Sequence, residues 1–373
     1  MGNMKYKPMG RQGNFSASRI GKVSVIMTAQ VPVNTVFARL KDVSEWPAMA
    51  PLVDQHQRSF TYLRLSVTDV CNFSCNYCLP DGYQCDNKET PLTLPEIHTL
   101  VSLMAKKGIK KVRITGGEPS VRKDIAAIIK TIKSIDGIET VAITTNGYKL
   151  PQHIKQWVDA GLDAINVSVD SLDPEKFKHI TGHDRLDDIM AGLDMAMSLG
   201  MTHVKVNAVL LKEYNLEELD TFLNWIKTTP ISLRFIELME TGDNQAYFAR
   251  NHVSGKCIED RLLQNNWQLK PKSKHSGPAN EYSHPDYQGS IGLIMPYSKD
   301  FCSSCNRLRI SSLGKLHLCL FGEQGHDVRS LLSDESHIQL SDQLDVLLGV
   351  KESSHFLSEH KTGSTRHLAM LGG

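Results

Sequence analysis

Between residues 61 and 238 the chain alternates short β-branched runs with amphipathic helical stretches, and this alternation limits the possible folds more than any other feature. The runs are TYLRLSVTD, KKVRITGG, ETVAITTNG, DAINVSVD, HVKVNAVL and SLRFIEL, and helix-like sequence follows each but the last, over 95–107, 121–135 and 151–160 for the first three. Strand and helix in strict alternation predict parallel strands with right-handed crossovers. An open doubly wound sheet and an incomplete TIM-like barrel both satisfy that pattern. The side chains separate them.

A flat parallel sheet covered by helices on both faces has strands that are apolar throughout. Here Leu63, Leu65 and Val67 alternate with Arg64, Ser66 and Thr68, and Val112 and Ile114 with Lys111, Arg113 and Thr115. Ile165, Val167 and Val169 flank Asn166, Ser168 and Asp170; Val204 and Val206 flank Lys205; Leu233 and Phe235 flank Arg234. Successive side chains point to opposite strand faces, so the apolar set packs under helices while the polar set lines an interior. The fold class expected is α/β: an incomplete TIM-like (βα)6 barrel over 49–240, followed by a C-terminal extension over 241–373. Its lumen is basic, with Arg64, Lys111, Arg113, Lys205 and Arg234 on the polar face, and a polyanionic substrate is implied. The alternative for any one of these cations is pairing with an acid inside the barrel.

The first strand runs into CNFSCNYC, which places Cys71, Cys75 and Cys78 within eight positions and offers no fourth cysteine. A structural zinc site is normally closed by four ligands. A four-iron cluster held by three thiolates instead keeps one iron for a ligand that is not protein, which suggests chemistry. GGEPS at 116–120 and TTNG at 144–147 follow the next two strands; either could be turn chemistry alone, but with the cysteines they place three ligand-friendly loops at one end of a parallel barrel, where such folds keep their sites. A second triplet, Cys302, Cys305 and Cys319, lies in CSSCNRLRISSLGKLHLCL. His317 could complete a zinc site there. Arg307 and Arg309, two apart on the intervening strand, project to one face as an anion clamp would. Cys85 and Cys257 read as a loop thiol and a small helix residue.

A chain that is 40% hydrophobic and 22% charged, with eight cysteines and no secretory signal, reads as globular with reduced thiols and is expected in the cytoplasm. No run approaches the roughly 18 apolar residues of a membrane span, so no membrane partner is expected. The net charge of +1 argues against a general nucleic-acid surface and leaves any anion site local. Residues 1–41 carry Lys5, Lys7, Arg11, Arg19, Lys22, Arg39 and Lys41 with no acid. Residues 1–48 are accordingly expected to lie outside the domains, as a basic disordered leader, a transit peptide or, the favoured reading, the product of a start placed too far upstream.

CNFSCNYC after LRLSVTD, with GGEP and TTNG, resembles the radical S-adenosylmethionine enzymes. Adding CSSC, the later cysteine, CNRLR and the terminal GG, the sequence from about residue 51 onward is very similar to their GTP 3′,8-cyclase family, which opens molybdenum cofactor biosynthesis. The resemblance implies two [4Fe-4S] clusters, one on Cys71, Cys75 and Cys78 and one on Cys302, Cys305 and Cys319. It implies S-adenosylmethionine held by Tyr77, Gly117, Ser168 and Met239, and GTP held by Arg64, Arg113, Thr144, Lys205, Arg307, Leu308 and Arg309. Catalytic roles fall to Arg307, Arg309, Gly372 and Gly373. The implied reaction is removal of the ribose 3′ hydrogen by a 5′-deoxyadenosyl radical and attack of C3′ on guanine C8, giving 3′,8-cyclo-7,8-dihydro-GTP. The implied partners are a flavodoxin-like electron donor, a downstream pterin-forming enzyme and a second copy of the chain in a homodimer. A peptide-modifying radical enzyme, a two-cluster electron carrier and a zinc-structured binding module are the competing classes.

Overall fold

Each of the six runs forms a strand: β1 (Tyr62–Ser66), β2 (Lys111–Thr115), β3 (Thr140–Thr145), β4 (Ala164–Ser168), β5 (Val204–Leu210) and β6 (Ser232–Glu237). They pair in parallel in chain order. The crossovers are helical: α1 (Leu94–Lys106), α2 (Ile125–Lys133), α3 (Leu150–Asp159), the pair α4 (Pro174–Thr181) and α5 (Leu186–Ser198), and α6 (Leu219–Thr228). The structure is a computed structural model that describes residues 46, 49–84, 89–272, 277–322, 324–333, 338–365 and 368–371, all within the unit Lys41–Gly373. The expected leader, Trp46 apart, lies outside the described residues. Among the described residues no helix is long and apolar enough to cross a membrane.

Local chemistry fixes these elements. At the start of α1 the Thr93 hydroxyl accepts from the Glu96 N–H while the Glu96 carboxylate accepts from the Thr93 N–H, a capping box that satisfies donors the helix itself cannot. Ile97, Leu100, Val101 and Met104 then form one buried stripe against the sheet. The strand residues expected to face the helices, among them Leu63, Leu65, Val112, Ile114, Ile165, Val167, Val206 and Leu233, are completely buried.

The C-terminal region does more than extend the barrel. Beyond α7 (Gln245–Asn251) and α8 (Lys256–Gln264) it supplies β7 (Gln268–Leu269), β8 (Asn280–Ser283), β9 (Ser290–Ile294), β10 (Arg307–Ile310), β11 (Lys315–His317) and β12 (His326–Asp327). Strand β9 pairs in parallel with β6, and β10 pairs in parallel with β1, so the parallel run gains a strand at each edge. The full sheet has 12 strands in the order β12-β11-β10-β1-β2-β3-β4-β5-β6-β9-β8-β7. Residues from both ends of this order line one cavity, so the sheet curls around it. The last long helix, α9 (Ile338–Gly349), is tied down by the buried ammonium of Lys107, which donates to Ser341 Oγ at 3.1 Å and Asp345 Oδ2 at 2.9 Å.

Candidate active site

The first cysteine loop follows β1 and is held from three sides. Ser74 N and Asn76 N donate to the carbonyls of Thr181 and Ile180 at the end of α4, Asn72 Oδ1 accepts from Asn146 at 2.9 Å, and the Tyr77 hydroxyl donates to Asp170 Oδ2 at 2.9 Å. Cys71, Cys75 and Cys78 are half-buried free thiols. Burial pushes the Cys71 thiol up to about 11, and burial with the neighbouring Cys71 pushes Cys78 up to about 12. Cys75 is raised well above the ordinary thiol value by burial, Asp170 and the other two cysteines. Thiols crowded this way give up their protons to bound metal and resist doing so without it. Among the described residues no three His, Cys, Asp or Glu side chains converge as a single metal ion requires; cluster ligands need not, since each thiolate takes a different iron. The donor set fits a cluster.

The GGEP turn runs beside this loop: Gly117 N donates to Thr68 O at 3.0 Å and Glu118 N to Val70 O at 2.8 Å. Glu118 is buried, and its carboxylate accepts from Ser120 N at 2.9 Å, Thr145 Oγ1 at 2.7 Å and Asn146 N at 2.6 Å. One side chain thereby joins the loops after β2 and β3. Of the four residues expected to hold S-adenosylmethionine, Tyr77 and Met239 pack against one small apolar cluster that also touches Cys78 and Cys319. Gly117 lies just past β2, and Ser168 ends β4.

The polar strand faces enclose a cavity of about 510 Å³. Register sets its cations in two rows: Arg309, Arg64 and Arg113 are neighbours across β10, β1 and β2, and Arg307, Tyr62 and Lys111 are neighbours below them. Lys205 and Arg234 complete the wall. Like charges directly across strands are destabilising, so such rows mark a site built for an anion. Burial and the neighbouring guanidiniums push Arg309 far down; burial, then Arg113 and Arg307, hold Arg64 near 10 although Tyr62 opposes them. Burial and Arg234 bring Lys205 to about 8. The pairing alternative holds for two of these cations: Glu281 on β8 accepts from Arg234 Nη2 at 2.5 Å and lies 3.6 Å from Lys205 Nζ.

Cys302, Cys305 and Cys319 line the same cavity. Burial would raise the Cys305 thiol, but Arg307 and Lys351 outweigh it and pull it down. Thus Arg64, Arg113, Lys205, Arg307 and Arg309 all face the space the sequence assigned them. Thr144 does not line the cavity, but its Oγ1 accepts from Arg113 Nη1 at 3.2 Å. Leu308 is completely buried in the core, leaving only its main chain for a ligand. Gly372 and Gly373 lie outside the described residues; the carbonyl of Leu371 accepts from Arg309 Nη1 at 3.2 Å. Tyr62, Arg58, Glu281 and Lys351 also line the cavity and were not foreseen. Tyr62 carried a signal, being two residues before Arg64 on the polar face; the other three carried none.

Comparison with known proteins agrees with this arrangement. Residues 65–226 match the Radical SAM superfamily model, and residues 231–357 match Molybdenum Cofactor Synthesis C. The chain shares its fold with Streptococcus suis SuiB bound to S-adenosylmethionine, at a TM-score of 0.57 and 14% identity, covering 79% of this chain and 69% of that one. Fold and first cysteine loop together define the class, the radical S-adenosylmethionine enzymes. The chain is 56% identical over 323 residues to a GTP 3′,8-cyclase of Vibrio cholerae, covering 86% of this chain and 97% of that one. It is 52% identical over 329 residues to a GTP 3′,8-cyclase of Haemophilus ducreyi, covering 88% and 97%. The chain belongs to the GTP 3′,8-cyclase family.

Proposed function

We propose that this chain converts GTP to 3′,8-cyclo-7,8-dihydro-GTP, with S-adenosylmethionine at an iron-sulfur cluster on Cys71, Cys75 and Cys78 and with GTP at a second cluster on Cys302, Cys305 and Cys319. The observation that carries the reading is the single cavity in which the second cysteine triplet meets the cation rows of β10, β1 and β2. When bound, the first cluster supplies the one-electron cleavage of S-adenosylmethionine that opens a ribose C–H bond.

The protein's own residues bind, orient and enclose. Arg64, Arg113, Lys205, Arg307 and Arg309 would neutralise the triphosphate, with Lys111 and Arg234 beside them, and guanidinium pairs suit its planar oxygen faces. Tyr77, Gly117, Ser168 and Met239 would hold S-adenosylmethionine at the strand ends. Both ligands would then be fixed on one curled sheet, where orientation of the reacting atoms is worth several orders of magnitude in rate. Arg307, Arg309, Gly372 and Gly373 would carry the catalytic roles. The 49–240 barrel and the 241–373 extension would thus divide the work between radical generation and substrate placement. This chemistry requires a one-electron donor, which a flavodoxin-like or similar protein would supply, and a downstream pterin-forming enzyme would take the product.

The test is anaerobic incubation of cluster-loaded protein with GTP, S-adenosylmethionine and a reductant. Both 5′-deoxyadenosine and a cyclised nucleotide are expected. Cleavage of S-adenosylmethionine with recovery of unchanged GTP under every condition would overturn the assignment of substrate.

A further inference from the structure

Tyr62 occupies the centre of the lower cation row. It begins β1 on the lumen face, with Lys111 of β2 and Arg307 of β10 as its register neighbours. Its side chain lines the cavity although the residue is only 5% exposed. Arg113 Nε donates to the phenolic oxygen at 2.5 Å, and the Lys111 ammonium lies 5.2 Å from the ring centroid. Arg113 uses Nη1 on the Ile143 carbonyl and Thr144 Oγ1, so the phenol fixes the remaining edge of that guanidinium.

The groups facing the ring from each packed element are nearly all cationic. They are Arg64 on its own strand, Lys111 and Arg113 on β2, Arg307 and Arg309 on β10, and Lys205 and Arg234 across the cavity on β5 and β6. Glu281 on β8, Glu352 and the thiols of Cys302, Cys305 and Cys319 are the acidic groups lining the same cavity, and Glu281 is engaged with Lys205 and Arg234. Burial alone would push the phenol up, but Arg113, Arg64 and Lys111 outweigh it and bring it to about 7. A phenolate accepting from a guanidinium makes a charge-assisted hydrogen bond, stronger than the one a neutral phenol makes.

We propose that Tyr62 is a positioning residue that serves as the resident counter-anion of the triphosphate cradle: its phenolate orders Arg113 and Arg64 in the ligand-free protein and takes up a proton from water when GTP brings its own negative charge. This rests on the GTP reading above. In the step one O–H bond forms on Tyr62 and water or buffer loses the proton; no electron moves, and the Arg113 hydrogen bond persists to the neutral phenol. The sign follows. Between the ionisation of the phenol in the ligand-free protein and its raised ionisation with GTP bound, binding consumes a proton and weakens as pH rises; below that window the phenol is already protonated, above it the phenolate persists in both states, and the linkage vanishes on either side.

The test is calorimetric titration of the anaerobic, cluster-loaded protein with GTP at pH 8, in buffers of different ionisation enthalpy, without S-adenosylmethionine. Lys205, brought down to about 8 by burial and Arg234, would also take up protons on binding, so the decisive quantity is the difference between the parent and Tyr62→Phe. The parent should take up about one proton more than the variant. Equal uptake by the two would overturn the proposal while leaving GTP as the ligand; failure of GTP to bind the parent would overturn both. Should the variant not fold, the parent's tyrosinate difference absorbance on addition of inorganic tripolyphosphate decides. Loss of that band supports the proposal, and an unchanged band overturns it.

Discussion

Arg58 donates through Nη1 to the main-chain carbonyl of Cys302, 3.2 Å away, and so ties the lead-in to β1 to the second cysteine triplet. The same guanidinium donates to the carbonyls of Ser353 at 2.8 Å and Glu352 at 2.6 Å, and its Nε donates to Asp54 Oδ2 at 2.7 Å. Residues 354 and 355 in turn hydrogen-bond the Cys302 thiol. One buried side chain therefore fixes both the cysteine loop and the wall that solvates its sulfur. Three main-chain acceptors and a carboxylate engage four of the five N–H donors of the guanidinium, a pattern a lysine could not reproduce.

Replacing Arg58 with leucine should release the second cysteine loop and leave Asp54 without its partner. The expected stability loss is about 3–5 kcal/mol, the usual cost of breaking a buried ion pair from one side. Iron should fall by roughly half, with the first site still loaded. A variant with full iron and an unchanged melting temperature would show that Arg58 is dispensable.

The Asp54 carboxyl predicts acid sensitivity. Burial pushes it up, but the main-chain and side-chain hydrogen bonds of Arg58, its charge and the His56 N–H together hold it below the ordinary value. A depressed folded value means that its stabilisation is complete above the unfolded value of about 3.9 and is lost as pH falls through the folded one. Urea midpoints measured from pH 5 to pH 3 should drop more steeply for the parent than for Asp54→Asn. Parallel slopes would remove Asp54 from the account of acid unfolding.

Gly117→Ala should damage the first site without touching a cysteine. A Cβ at this position would sit 2.5 Å from the Asp69 carbonyl oxygen, inside the turn that leads to Cys71. Backbone cannot yield there cheaply, so the loop must shift. A displacement near 1 Å would reduce cleavage of S-adenosylmethionine on the order of 100-fold. Retention of the parent cleavage rate would mean the two turns can separate freely.

The lumen was legible because a strand has period two: Arg64, Lys111, Arg113, Lys205 and Arg234 stand where alternation puts them. The cysteine triplets stand out in the sequence by their spacing, and the fold brings Cys302, Cys305 and Cys319 to the wall of that lumen. Pairing between elements distant in sequence was not legible. SIGLI at 290–294 is an ordinary apolar run, and nothing within it states that it will lie beside β6 while RLRI at 307–310 lies beside β1. Arg58 illustrates the same limit, since its three main-chain partners are 244 to 295 residues away. Leu308 shows the converse: reading by resemblance named it with its neighbours, yet alternation alone sends its side chain into the core.

Glu281 would oppose the triphosphate proposed for its cavity. It offsets Lys205 and Arg234 and would repel a triphosphate bound beside them. Glu281→Gln keeps a hydrogen-bonding side chain and removes the charge. GTP binding should tighten by roughly threefold to tenfold, about 1 kcal/mol, at low salt. Weaker binding would instead assign Glu281 an attractive contact with the nucleotide.

The two cysteine triplets should fail differently when broken one at a time. Cys75→Ser replaces a thiolate with a hydroxyl that stays protonated at neutral pH and ligates iron poorly. Formation of 5′-deoxyadenosine should therefore cease, because S-adenosylmethionine loses the iron that binds it. Cys302→Ser leaves that loop, the GGEP turn and Glu118 untouched, so weak, uncoupled 5′-deoxyadenosine formation should persist. The cyclised nucleotide should nevertheless disappear. Arg307, Arg309 and their partners would still attract the triphosphate, but nothing would hold the far end of GTP so that its ribose lies within the roughly 3 to 3.5 Å that hydrogen transfer demands. The measurement is the ratio of cyclised nucleotide to 5′-deoxyadenosine in the parent and each variant. If Cys302→Ser keeps the parent ratio and rate, the second triplet is structural, and substrate placement rests on the cation rows alone.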